Sequence, residues 1–151
     1  MITIRTATAN DIDTLLRFEQ GVISAERPFD STLRPDPNKY YDLDNMLINP
    51  LIELAVAESE GNLIGSGYAR IEKAKPYLQH EQHAYLGFMF VHPEYRGKGV
   101  NQLIIEYLKQ WAISRGITEL KLDVYCENAS AIKAYEKVGF SKYMISMRLG
   151  V

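Results

Sequence analysis

Ile2 and Ile4 alternate with Thr3 and Arg5, the two-residue period of a first strand. Thr8-Ala9-Asn10-Asp11 then reads as a capping box ahead of a helix whose apolar positions Ile12, Leu15, Leu16 and Ile23 recur at helical spacing. Pro28, Pro35 and Pro37 break the chain into a loop, and Tyr40, Leu43 and Leu47 predict a second helix ending before Pro50. Ile52, Leu54 and Val56 alternate as a strand, Ser59-Glu60-Gly61-Asn62 signals a turn, and Leu63 to Lys73 returns as the other arm of a hairpin. Ala84 to Val91 is almost wholly apolar, the pattern of a strand covered on both faces.

The clearest amphipathic helix carries Val100, Leu103, Ile104, Tyr107, Leu108 and Trp111 along one face and is stopped by Gly116. Leu120, Leu122 and Val124 mark a further strand, Ile132, Tyr135 and Val138 a last helix opened at Asn128, and Phe140 to Leu149 the final strand or strands. This order, β-α-α-β-β-β-α-β-α-β, predicts an α+β fold: a mixed, largely antiparallel central sheet flanked by helices on both faces. A chain of 151 residues supports one core, so a single domain spanning 1–151 is expected.

Composition narrows the class. A hydrophobic share of 46% with 24% charged residues is that of a globular protein, and no apolar run has the length of a membrane span. The opening Met1-Ile2-Thr3-Ile4-Arg5 lacks the charged-then-apolar layout of a signal peptide, so a cytoplasmic location is expected. With a net charge of −2, nothing points to nucleic acid, whose binding needs a clustered basic surface. Cys126 is the single cysteine, which excludes an intrachain disulfide and a cysteine-rich zinc site. His80 and His83 fall short of a ligand set and read as solvated side chains, so no metal is expected.

Two segments carry chemistry. Val91-His92-Pro93-Glu94-Tyr95-Arg96-Gly97-Lys98-Gly99-Val100-Asn101 runs an apolar strand into a glycine-rich basic turn that opens a helix. Glycines let backbone approach an anion closely, and the free N–H groups and positive dipole end of the helix point at it. Arg96 and Lys98 add charge at the same spot. The second segment, Asn128 to Phe140, reads N-A-S-A-I-K-A-Y-E-K-V-G-F.

Together these segments resemble the GCN5-related N-acetyltransferase (GNAT) superfamily. The family's cofactor turn, Q/R-x-x-G-x-G/A, falls on Arg96, Gly97, Lys98, Gly99, Val100 and Asn101, after the usual Val-x-Pro at Val91 and Pro93. Its second signature falls on Asn128, Ala131, Tyr135, Gly139 and Phe140. One position departs: the last Gly or Ala of the turn is Asn101, which bears on how closely a pyrophosphate seats. The resemblance covers Ile2 to Leu149 and implies the fold predicted above, acetyl-CoA as co-substrate and an amine as acceptor.

It also implies roles. The pantetheine arm would lie as an added strand on the main chain of Met89, Phe90 and Val91, and the Asn128 amide would touch that arm while its oxygen caps the helix. Tyr135 stands at the general-acid position; the bland alternative is a core tyrosine with a satisfied hydroxyl. A phenol of pKa near 10 protonates a thiolate of thiol pKa near 8.5 only in a tuned environment, or else water takes over. Acyl transfer through a tetrahedral intermediate needs no metal. For the base, Asp123 ranks first, with Glu72, Glu81, His83 and a water chain as alternatives. Cys126 lacks the neighbours of an activated nucleophile.

Residues Phe18 to Leu47 and Ala74 to Gln82 are, by the same resemblance, the acceptor wall, with Glu26-Arg27-Pro28-Phe29 as a candidate rim. The leading expectation is an acetyl-CoA-dependent N-acetyltransferase acting directly on a primary amine. Its alternative is a CoA-binding sensor without useful turnover, and a nucleotide-binding loop ranks last because the turn lacks a Lys-Ser/Thr ending. The alternation of Tyr143, Ile145, Met147 and Leu149 either completes the core or supports a homodimer.

Overall fold

The alternation at Ile2 and Ile4 becomes strand β1 (Ile2–Thr6), which pairs antiparallel with β2 (Ile52–Ser59) in a computed structural model that describes residues 1–151. Glu60 and Gly61 take positive φ to turn β2 into β3 (Asn62–Lys73), and β4 (Gln82–Val91) continues the antiparallel run. The short β5 (Leu120–Lys121) closes the order β1-β2-β3-β4-β5 by pairing parallel with β4.

Both faces of this sheet are covered, and the two-residue period of the strands sorts side chains between them. Ala55 and Ala57 of β2 face a cluster with Ile104, Leu108 and Ala112 of helix α3 (Val100–Ser114). Leu54 and Val56 face the opposite cluster, with Leu15 and Phe18 of helix α1 (Ile12–Glu26) and Leu43 and Met46 of α2 (Leu43–Ile48). The capping box at Thr8 and Asp11 starts a short turn that leads into α1, as expected from the sequence. Buried Glu19 accepts the amides of Tyr40 (3.0 Å) and Tyr41 (2.7 Å), which fastens the proline-rich loop onto α1.

One irregularity shapes the centre. Ser66 pairs with Phe90 and Tyr68 with Gly87, so two steps along β3 oppose three along β4. The extra residue is taken up at Phe88, a non-glycine at φ +54°, and the Ser66 hydroxyl donates to the Phe88 carbonyl at 3.0 Å. Such a conformation costs about 1–2 kcal/mol and bends the strand that carries it.

Two expectations are corrected at the C-terminal end. The strand foreseen through Leu122 and Val124 stops at Lys121, and beyond helix α4 (Ala129–Lys137) residues 140–151 form no strand. With only two residues, β5 offers no ladder for another strand to join. Tyr143, Met144, Ile145, Met147 and Leu149 are 68–92% exposed, so neither parity of the segment rests on the sheet. It is tied instead by Arg148, which donates to Asp30 (3.0 Å) and to the Thr32 hydroxyl (2.9 Å).

Candidate active site

β5 covers β4 only at Ala84 and Tyr85, so the β4 edge from Leu86 to Val91 has no strand partner on that side. Met89, Phe90 and Val91 therefore present main chain along an open edge, where an extended ligand can pair. The Phe90 ring stacks on Phe18 at 4.4 Å and lies against Gly21 of α1. Arg96 donates from Nε to the Val91 carbonyl at 3.1 Å and stands at the end of that edge.

The glycine turn follows directly. Gly97 (φ +75°) and Gly99 (φ +79°) hold left-handed backbone, which places Gly99 as the N-cap of α3. The first backbone bond of the helix runs from Leu103 N–H to Gly99 O at 3.1 Å, so the amides of Val100, Asn101 and Gln102 have no partner within the helix. Asn101 lies inside α3, outside the left-handed backbone of the turn. Lys98 projects over the Tyr95 ring, its Nζ 5.2 Å from the centroid, which keeps the ammonium beside the turn.

Between the open edge, α1 and the loop into α4 lies a cleft of about 200 Å³. Asn128 caps α4, accepting the Ala131 amide at 3.3 Å, and also borders this cleft. Tyr135 packs its ring edge-on against Phe140 at 5.9 Å and turns towards the cleft, its hydroxyl bonded to no protein group. Burial pushes this phenol up to about 12, with the Glu26 carboxylate adding to the effect, so it stays protonated at working pH, but the shift makes it a weaker acid than a free phenol, opposite to the tuning that proton donation to a thiolate asks for. Asp123 borders the cleft from an exposed position and accepts the Tyr85 hydroxyl at 3.2 Å.

The other base candidates sit elsewhere. Glu72 accepts from Arg70 Nε (2.7 Å) and meets His83 Nε2 at 3.1 Å, and none of Glu72, Glu81 and His83 borders the cleft. His80 Nε2 lies 3.4 Å from the Glu119 carboxylate, apart from His83, which is buried rather than solvated as the sequence led us to expect. Cys126 is exposed.

Sequence reading placed Glu26 only on a rim, whereas the last turn of α1 brings it into the cleft with Val22 and Ala25. Burial raises its pKa. Beside it stands Tyr40, whose hydroxyl is buried without a partner at hydrogen-bonding length yet close enough to act on the Glu26 carboxylate. Tyr125 closes the outer side, donating to Asp30 at 3.1 Å and stacking on Phe29 at 6.1 Å. Mid-helix Gly21 is the sequence signal for this wall, since glycine costs a helix about 1 kcal/mol unless something needs the room.

Comparison with known proteins bears on the fold and the family. The model of the acetyltransferase (GNAT) family matches residues 20–140. An acetyltransferase of Sodalis glossinidius is 30% identical over 133 residues, covering 88% of this chain and 87% of its own length. Among solved structures, a mutant protein from Bacillus halodurans superposes with a TM-score of 0.89 at 19% identity, covering 99% of both chains. A predicted acetyltransferase from Clostridium acetobutylicum, solved with acetyl-CoA, gives 0.78 at 21% identity, covering 99% of this chain and 96% of its own.

Proposed function

The chain belongs to the acetyltransferase (GNAT) family, and on that premise we propose that it transfers an acetyl group directly from acetyl-CoA to a primary amine of a small molecule or protein. The observation that carries this reading is the open β4 edge, which leads at one end into the glycine turn and borders the Tyr135 cleft. Main chain at Met89, Phe90 and Val91 would hold the pantetheine arm, with the Asn128 amide beside it. The turn Arg96-Gly97-Lys98-Gly99-Val100-Asn101 would hold the pyrophosphate, mainly through amides at the α3 start.

When bound, acetyl-CoA supplies the activated acyl group. Around it this chain orients the thioester along β4, presents the Tyr135 proton to the departing sulfur and offers carboxylate to the incoming amine, with Asp123 at the outer edge. The reaction needs no metal in this scheme. We further propose a cytoplasmic homodimer in which a second copy covers the exposed Ile145, Met147 and Leu149; neither nucleic acid nor membrane enters the scheme. No helix is long and apolar enough to cross a membrane.

Titration calorimetry tests the first requirement: acetyl-CoA should bind at micromolar levels or better, and no binding at millimolar cofactor overturns the proposal. Thiol release from acetyl-CoA across amines, polyamines, aminoglycosides, amino acids and peptides tests the second. Tight binding with no turnover on any acceptor would favour a CoA sensor instead.

A further inference from the structure

Of the carboxylates that border the cleft, Glu26 is the one set inside it. It sits on the last turn of α1, part-buried, next to apolar Val22 and Ala25 and across from the β4 edge. Its charge is felt at the Tyr135 phenol, which places the two groups within electrostatic reach across one small space. Asp123, by contrast, is exposed and already bonded to Tyr85. The Tyr135 hydroxyl borders the cleft without a protein partner, and the Tyr40 hydroxyl is buried beside Glu26, on whose carboxylate it acts.

We propose that Glu26 is the primary proton acceptor of the transfer reaction and the anchor of an ammonium-bearing acceptor whose carbon skeleton rests on Val22, Ala25 and Phe90. The inference rests on the transferase reading above. The acceptor ammonium first gives one proton to bulk water; the neutral amine nitrogen then bonds to the thioester carbonyl carbon and sheds a second proton to Glu26, the carbon–sulfur bond breaks, and the sulfur takes the Tyr135 proton. Transfer of the proton from Glu26 to the Tyr135 phenolate restores both groups, leaving amide and thiol. Burial suits Glu26 to this task, because a carboxylate whose pKa rises towards the working pH is a stronger base than a solvated one. Asp30 pushes in the same direction through its charge, and the Tyr40 hydroxyl opposes it. Asp123, Tyr125, Tyr135 and Arg96 complete the polar surroundings of the cleft.

The test uses the whole chain and the acceptor on which the wild type releases thiol fastest, chosen from aliphatic diamines, aminoglycosides, amino acids and lysine peptides. Glu26→Gln should lower kcat by roughly 10²–10⁴ while leaving the calorimetric affinity for acetyl-CoA within about twofold. The acid limb of kcat/KM should vanish in Glu26→Gln and remain in Asp123→Asn. Tyr40→Phe should move that limb to higher pH, because the hydroxyl it removes lowers the Glu26 pKa. A structural role for Glu26 would shift the thermal midpoint and leave the limb in place. If the wild type turns over and Glu26→Gln keeps its kcat and its limb, the Glu26 assignment is overturned alone. Should the wild type acetylate no amine, the transferase reading itself falls, and this inference with it.

Discussion

Gly21 on α1 and Phe90 on β4 meet so closely that no side chain fits between them: a Cβ at position 21 would stand 2.6 Å from the Phe90 ring. The contact sets how near the acceptor wall stands to the strand that would carry the cofactor.

Gly21→Ala therefore opposes two effects. Alanine favours the helix by about 1 kcal/mol, while the ring must move several tenths of an ångström or more. Overpacking typically costs about 1–3 kcal/mol, so the net expectation is a lower thermal midpoint together with a raised KM for acetyl-CoA. A midpoint above the parent with unchanged KM would show that Phe90 yields without consequence.

At the turn, Gly99→Glu should abolish CoA binding, by strain at φ +79° and by a negative charge set at the anion site. Lys98→Ala should weaken it modestly, since the α3 amides carry the main interaction and Lys98 is held only over Tyr95. Calorimetry on both variants separates these outcomes, and normal CoA affinity in Gly99→Glu would relocate the pyrophosphate.

Tyr135→Phe keeps the ring against Phe140 and removes a hydroxyl that no protein group uses. Thermal midpoint and CoA affinity should persist, and turnover should fall by about 10²–10⁴. With its pKa pushed up to about 12, the phenol contributes no titration to rate profiles below about pH 10. A mutant equal to the parent in rate would leave water as the proton source.

Far from the cleft, Arg5 chelates Asp11 at 2.8 and 3.0 Å and holds its carboxyl below the usual range, with the Thr8 amide assisting. A depressed folded pKa means stability present above the unfolded value of 3.8 and lost as pH falls through the folded one. Asp11→Asn should cost about 1–3 kcal/mol at pH 7, seen as a drop of a few degrees in midpoint. The difference from the parent should shrink progressively below about pH 4, and a gap that stays constant into acid would remove the ion pair from the explanation.

Oligomeric state is read by light scattering. A dimer mass at tens of micromolar is expected, and Ile145→Glu with Met147→Glu should convert it to monomer, as charges on the exposed row would then face each other. A monomer mass for the parent disposes of the dimer.

The layered sheet was legible because its signals are local: alternation in β1 and β2, the 3.6-residue stripe of α3 and the caps at Thr8, Asn128 and Gly116 are each written within a few residues. So was the glycine turn, whose glycines adopt the backbone that only glycine adopts readily. The end of the chain misled for the same reason. Alternation at Tyr143 to Leu149 states a preference for an extended conformation but not the presence of a partner, and β5 provides none. The bulge at Phe88 left no local mark, since its cause is the mismatch with β3. Glu26 entered the cleft through the packing of α1 on β4, a relation between residues more than sixty positions apart that Gly21 alone hinted at.

An unpaired strand edge is also a colloidal hazard. Main chain from Leu86 to Val91 that lacks a neighbour can recruit a strand from another molecule, and natural sheets commonly place a cation where such recruitment would begin. Arg96, seated on the Val91 carbonyl, is such a guard. A ligand that pairs with this edge would complete the sheet, so CoA should act in storage as a preservative: turbidity on prolonged warming should develop more slowly with CoA than with an equal concentration of free pantothenate, which lacks the pyrophosphate that fixes the arm in place.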